Sequence, residues 1–222
     1  MNASVFSRRG PLRCPKRLLD PGRRQRGLSL VEVLVAIVVL SFGLLGMVGM
    51  QAFSLQATQQ ARLQGRAASL ARELAEMMRG NKVVGTVNDA TNNPYLGAFA
   101  VGSLSMGSNA SYCLNVGNAS SGCSSVLEVA KAEMTDWLAR VDMELPGARV
   151  SVCFDAAPYD ASGMPVWSCT AASADQTTAV IKIGWTRAST DNSKTDSSAL
   201  ENASTAPYLI FPVTSGNAAS GT

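Results

Sequence analysis

Between Arg26 and Leu40 the chain reads RGLSLVEVLVAIVVL: a basic residue, a glycine, then an aliphatic run broken by one acid, Glu32. The aliphatic character continues from Val33 to Met50, where only Ser41 and three glycines interrupt it, and the next charge is Arg62. Eighteen uncharged residues make roughly 27 Å of helix, close to the hydrocarbon thickness of a bilayer. A carboxylate inside a membrane span costs about 2.5–3.5 kcal/mol on insertion scales. A simple anchor has no use for it.

Charge is distributed to match. Residues 1–27 carry eight basic side chains against one acid, Asp20, a net +7, whereas residues 28–222 carry eleven against fifteen, a net −4. A basic head directly before an apolar run is the layout of a segment retained on the cytoplasmic side of a membrane. The body is mildly acidic, so a nucleic-acid partner is not expected. Histidine is absent, which removes the usual general base and the commonest metal ligand. The sequence shows no phosphate-cradling glycine loop, metal-ligand spacing or nucleophile–base pair. A membrane-anchored periplasmic enzyme is therefore the weaker reading, and neither metal nor cofactor is expected. Asp155, Asp160 and Asp175 read as solvated loop acids.

The helical pattern continues past the apolar run. Leu63, Ala67, Leu70, Leu74 and Met77/Met78 recur at spacings of three and four, with Arg62, Arg66, Arg72, Glu73, Glu76 and Arg79 on the polar face. This predicts one helix from about Leu28 to Arg79, ending at Gly80-Asn81 and on the order of 75–80 Å long. Its first half is apolar all round, and its second half is amphipathic and suited to packing on a soluble domain.

Residues 81–123 read as loop-rich, with a short strand at Tyr112–Val116. A second helix is signalled at 126–144 by the Ser125/Glu128 capping box and by Leu127, Ala130, Met134, Trp137/Leu138, Val141 and Leu145 at helical spacing. Asp136 and Arg140 stand one turn apart, in position to pair, and Pro146-Gly147 ends the helix. Alternation then predicts strands at Arg149–Phe154 and Ala179–Arg187, the latter with Ile181, Ile183 and Trp185 on one face and Lys182, Gly184 and Thr186 on the other. Tyr208–Val213 is a third strand, with Pro212 suggesting an edge. The tail Ser215–Thr222 reads as unordered.

Five cysteines are present: Cys14 in the basic head, and Cys113, Cys123, Cys153 and Cys169 in the body. The last four allow three pairings. Cys113–Cys123 and Cys153–Cys169 are favoured because each pair is close in sequence and flanks turn-like residues, and an oxidising periplasm suits disulfides.

One arrangement accounts for both Gly27 and Glu32. A cut after Gly27 creates an amine at Leu28, about one helical turn from the carboxylate. In a staggered bundle of such helices, the Glu32 carboxylate of one subunit can meet the amine of another. Setting register is the best-attested use of a buried ion pair.

The run Gly27–Leu40 resembles the N-terminal signature of type IV pilins. In that family a prepilin peptidase cleaves after the glycine and N-methylates the new first residue. The resemblance implies cleavage between Gly27 and Leu28 and methylation of Leu28, with Glu32 matching the family's fifth-position glutamate. The usual first residue is phenylalanine, and here it is Leu28. The segments Glu133–Ala148, EMTDWLARVDMELPGA, and Val180–Arg187, VIKIGWTR, are similar to PilV-type minor pilins, the type IV pilus modification proteins. Trp137 and Trp185 are expected as core aromatics.

The expected fold is α+β and pilin-like, a long N-terminal helix packed on a small antiparallel sheet. The resemblance divides the chain into a cleaved leader (1–27), a transmembrane and filament-core half of the first helix (28–54) and a periplasmic globular domain (55–222). It implies prepilin peptidase, other minor pilins, the major pilin and inner-membrane lipid as partners. A type II secretion pseudopilin shares the N-terminal signature and is the alternative.

Overall fold

The computed structural model describes residues 29–102, 104–115, 117, 122–170, 178–189, 193–195 and 199–214. The leader 1–27, Leu28, Val116, Asp175 and the tail Ser215–Thr222 lie outside the described residues. In chain order the elements are α1 (Leu30–Gly80), α2 (Lys82–Gly85), β1 (Gly97–Phe99), a 3-10 turn (Gly107–Asn109), α3 (Val126–Glu144), β2 (Arg149–Phe154), β3 (Thr178–Gly184), β4 (Arg187–Ala188), β5 (Leu200–Glu201) and β6 (Leu209–Thr214). The chain divides into two compact units, with the boundary between Met50 and Gln51.

In the first unit the described residues are Ser29 and α1 as far as Met50, and every one of them is exposed. Leu30, Val39, Leu40, Phe42 and Leu45 are each more than 60% exposed. No charge after Glu32 and no proline interrupts this stretch, so the backbone satisfies its own hydrogen bonds while the side chains remain uncovered. Among the described residues, α1 is the one helix long and apolar enough to cross a membrane.

In the second unit, α1 and α3 cover one face of a four-stranded antiparallel sheet with strand order β1-β2-β3-β6. Leu70, Leu74 and Met78 of α1, Met134, Trp137, Leu138 and Val141 of α3, and Val150, Val152, Ile181 and Ile183 of the sheet form one buried core. The Trp137 indole donates to the Leu70 carbonyl at 2.9 Å, joining the two helices. Ser125 caps α3 by accepting the Glu128 amide. Pro212 lies on edge strand β6, where its missing N–H costs no ladder bond on the outer side.

Three expectations change. Tyr112–Asn115 is a turn, closed by the Asn115 amide on the Tyr112 carbonyl and tied by a disulfide at Cys113. The strand that borders β2 is β1, whose three residues are too few to show alternation. Arg140 does not take the acid on its own helix. It reaches across to Glu73 of α1, at 2.6 and 2.7 Å from the two carboxylate oxygens. A guanidinium at the helix–helix seam finds a partner over the seam as readily as one turn back.

The second face of the sheet is also covered. Arg149, Ser151 and Cys153 of β2 register beside Gly184, Lys182 and Val180 of β3, and segments from 155–170 and 199–206 lie over them. Gly184 is hemmed in so tightly that a Cβ there would stand 2.7 Å from Ala203 and 2.9 Å from Trp167. The Arg149 guanidinium stacks over the Trp167 ring at 4.3 Å and donates to the Ser204 carbonyl. Every residue of β3 after Thr178 is therefore buried, including Lys182, which alternation had placed on a polar face.

Candidate processing and assembly site

Ser29 opens α1. Its carbonyl accepts the amides of Glu32 at 2.9 Å and Val33 at 3.3 Å. Glu32 thus stands in the first turn, where the helix dipole favours an acid by about 0.3–1 kcal/mol. That is well short of the roughly 2.5–3.5 kcal/mol cost of a carboxylate at the centre of a membrane span. The local helix start does not by itself account for the acid. Glu32 is exposed at the start of the apolar stretch of α1 that runs to Met50, and an apolar surface of this extent is a surface meant to be covered. Gly27 and Leu28, read as the processing junction, lie outside the described residues.

The globular unit brings together two distant segments. The helix stop Leu145-Pro146-Gly147 meets the chain two residues past β3: the Thr186 amide donates to the Pro146 carbonyl at 2.7 Å. Gly147 adopts φ +57°, and a Cβ there would collide with the Thr186 hydroxyl. Trp137 and Trp185 are both buried, as expected of core aromatics. Trp185 meets Tyr208 edge to face at 5.4 Å, and the Arg187 guanidinium lies 4.1 Å from the Tyr208 ring while pairing with Glu201.

Cys113 is bonded to Cys123, and Cys153 to Cys169, with Cα separations of 5.1 and 6.4 Å. Asp155 lies beside the second bridge, but with both sulfurs in the disulfide Cys153, Asp155 and Cys169 do not offer a metal a thiolate pair.

Asp155 is a correction to the sequence reading. It is buried, and its carboxylate lies 2.5 Å from the equally buried Lys182 ammonium. Burial pushes its pKa up, but the Lys182 ammonium and the Ala157 and Thr170 amides outweigh that and hold the carboxyl below its ordinary value. Asp160 is exposed, as read, and turns the loop by accepting the Ser162 and Met164 amides. The available signal for Lys182 was the run TAVIKIG, whose near-continuous apolar character marks a strand buried on both faces. A second buried polar contact joins Tyr95 to Glu133. The tyrosine hydroxyl donates to the carboxylate, and burial first, then that acid, pushes the tyrosine pKa up.

Residues 22–48 match the prokaryotic N-terminal methylation motif. No curated protein and no solved structure matches the chain. The motif indicates the type IV pilin or pseudopilin class, whose members are processed by a prepilin peptidase and assemble with other pilins. The single apolar helix at the N-terminal end fits a protein anchored in the inner membrane.

Proposed function

We propose that the chain is a minor pilin of the PilV type, made as a prepilin and built into, or priming, a type IV pilus. The basic leader stays on the cytoplasmic side, and the peptidase cuts between Gly27 and Leu28 and methylates the Leu28 amine. Residues 28–54 lie first in the inner membrane and then in the filament core. Residues 55–222 form the periplasmic domain and then part of the filament surface. Glu32 sets the axial stagger by pairing with the terminal amine of a neighbouring subunit. Pairing offsets the cost of both charges in an apolar bundle and fixes one register among many sterically similar ones. The protein acts by assembly and carries out no reaction of its own.

The observation that carries this reading is the methylation motif over residues 22–48, with an acid in the first turn of a helix whose next twenty-nine residues, 33–61, carry no charge and whose residues up to Met50 are all exposed. The PilV assignment is supported by Glu133–Ala148 and Val180–Arg187, which meet at the Pro146–Thr186 bond. A type II secretion pseudopilin would share the N-terminal features, and gene deletion separates the two: loss of twitching supports the pilus reading, and loss of enzyme secretion the other.

Glu32→Val tests the mechanism. The variant inserts and is cut, shown by the same mature size on a gel as wild type, yet is missing from sheared filaments. Normal incorporation of Glu32→Val would overturn the register role.

A further inference from the structure

Lys182 is fully buried in a chain with ample surface for a lysine. Its ammonium donates to the Val166 carbonyl at 2.8 Å and the Ser168 carbonyl at 2.6 Å, and forms an ion pair with the Asp155 carboxylate at 2.5 Å. The other Asp155 oxygen accepts the Ala157 and Thr170 amides, each at 3.0 Å. Cys169 lies between two of these anchors. Ser168, just before it, is held by Lys182, and Thr170, just after it, is held by Asp155. Cys153 is two residues before Asp155 on the same chain segment. The ion pair therefore holds the backbone on both sides of one cysteine and next to the other.

Chain statistics alone select this pairing weakly. Cys153 and Cys169 are 16 residues apart. Cys123 and Cys153 are about twice as far, and doubling a loop disfavours its closure only about threefold. A buried charge pair tolerates far less positional error, because each donor and acceptor must be matched when water is excluded. We propose that the Lys182–Asp155 pair is a latch that folds the 155–170 segment back onto the sheet, presents Cys169 to Cys153, and keeps the segment in place whether or not the disulfide has closed. Closing the bond takes two protons and two electrons from the two thiols and passes them to a disulfide-bearing oxidant, which becomes its dithiol. The latch reacts with nothing. It is a positioning device that determines which thiols meet.

The test uses the full chain extracted from membranes in mild detergent, with disulfides mapped by alkylation and non-reducing peptide mass analysis. In Lys182→Met/Asp155→Asn, which leaves no lone buried charge, several-fold more Cys153 and Cys169 is found as free thiol or bonded to Cys113 or Cys123. The wild-type pairing in full yield would overturn the proposal. The second arm is Cys153→Ser/Cys169→Ser, read by hydrogen exchange of peptides covering 155–170. With the latch intact, protection stays within a few-fold of wild type. Exchange as fast as in the unfolded chain would overturn the proposal, and this arm decides even where the first variant does not accumulate.

Discussion

A lysine in the middle of a buried strand is tolerated only because its ammonium is paired with a carboxylate and hydrogen-bonded to two carbonyls. Lys182→Met removes the cation and leaves the Asp155 carboxylate buried opposite a methyl group. Breaking one side of a buried pair costs about 3–5 kcal/mol, so the urea midpoint of Lys182→Met should fall sharply, and Lys182→Met/Asp155→Asn should recover much of the loss. The same pair sets an acid dependence. The Asp155 pKa is depressed below 3.8 in the folded chain, so its contribution is complete above that ordinary value and fades as pH falls through the lower folded one. The stability gap between wild type and Asp155→Asn should hold steady from neutral pH to about pH 4 and shrink only below it. A gap that closes between pH 7 and pH 5 would contradict the assignment. Gly184 belongs to this scale as well. Gly184→Ala drives a methyl group into Trp167 and Ala203 and should cost about 1–3 kcal/mol in chemical denaturation.

Among the elements, α1 and α3 were legible because their patterns are long. α3 has a capping serine, five buried side chains at helical spacing and a Pro-Gly stop, and each signal places the same element. β2 and β6 were readable to within a residue, since alternation marks the side that faces the helices, whereas β3 stops at Gly184, three residues short of the expected end, and Arg187 pairs in a separate two-stranded sheet. What alternation cannot show is a cover on the opposite side. Lys182 and Asp155 were misread for that reason: their burial depends on a loop that returns over the sheet, a tertiary event with no local period. The strand placed at 112–116 failed in another way. Cys113 lies in a disulfide-tied turn, and β1 carries no pattern of its own. The Arg140–Glu73 pair shows the limit of one-turn arithmetic at a helix seam. Both side chains are more than a third exposed, so Arg140→Ala should cost no more than about 1 kcal/mol. Gly147→Ala has a larger expected effect, about 1–2 kcal/mol, because φ +57° is left-handed and the Thr186 hydroxyl occupies the space a Cβ would need. Thermal unfolding of the two variants side by side checks that order.

For the whole molecule, the pilin or pseudopilin class was legible before the fold, because that signal rests on a few residues whose meaning does not depend on tertiary contacts. A basic head, a glycine, an acid four residues after the first hydrophobic position and a long uncharged helix form a local code, and residues 22–48 match the corresponding motif. The globular unit explains how two separated segments come to touch and how its loops are tied down. A mature chain beginning at Leu28, as proposed, would give Glu32 a partner in the next subunit. N-terminal sequencing with intact mass of the protein from a membrane fraction tests this most directly. The account predicts a chain starting at Leu28 and heavier than the unmodified polypeptide by one methyl group in place of a hydrogen. A chain that keeps the leader, or that starts at any other residue, would contradict it.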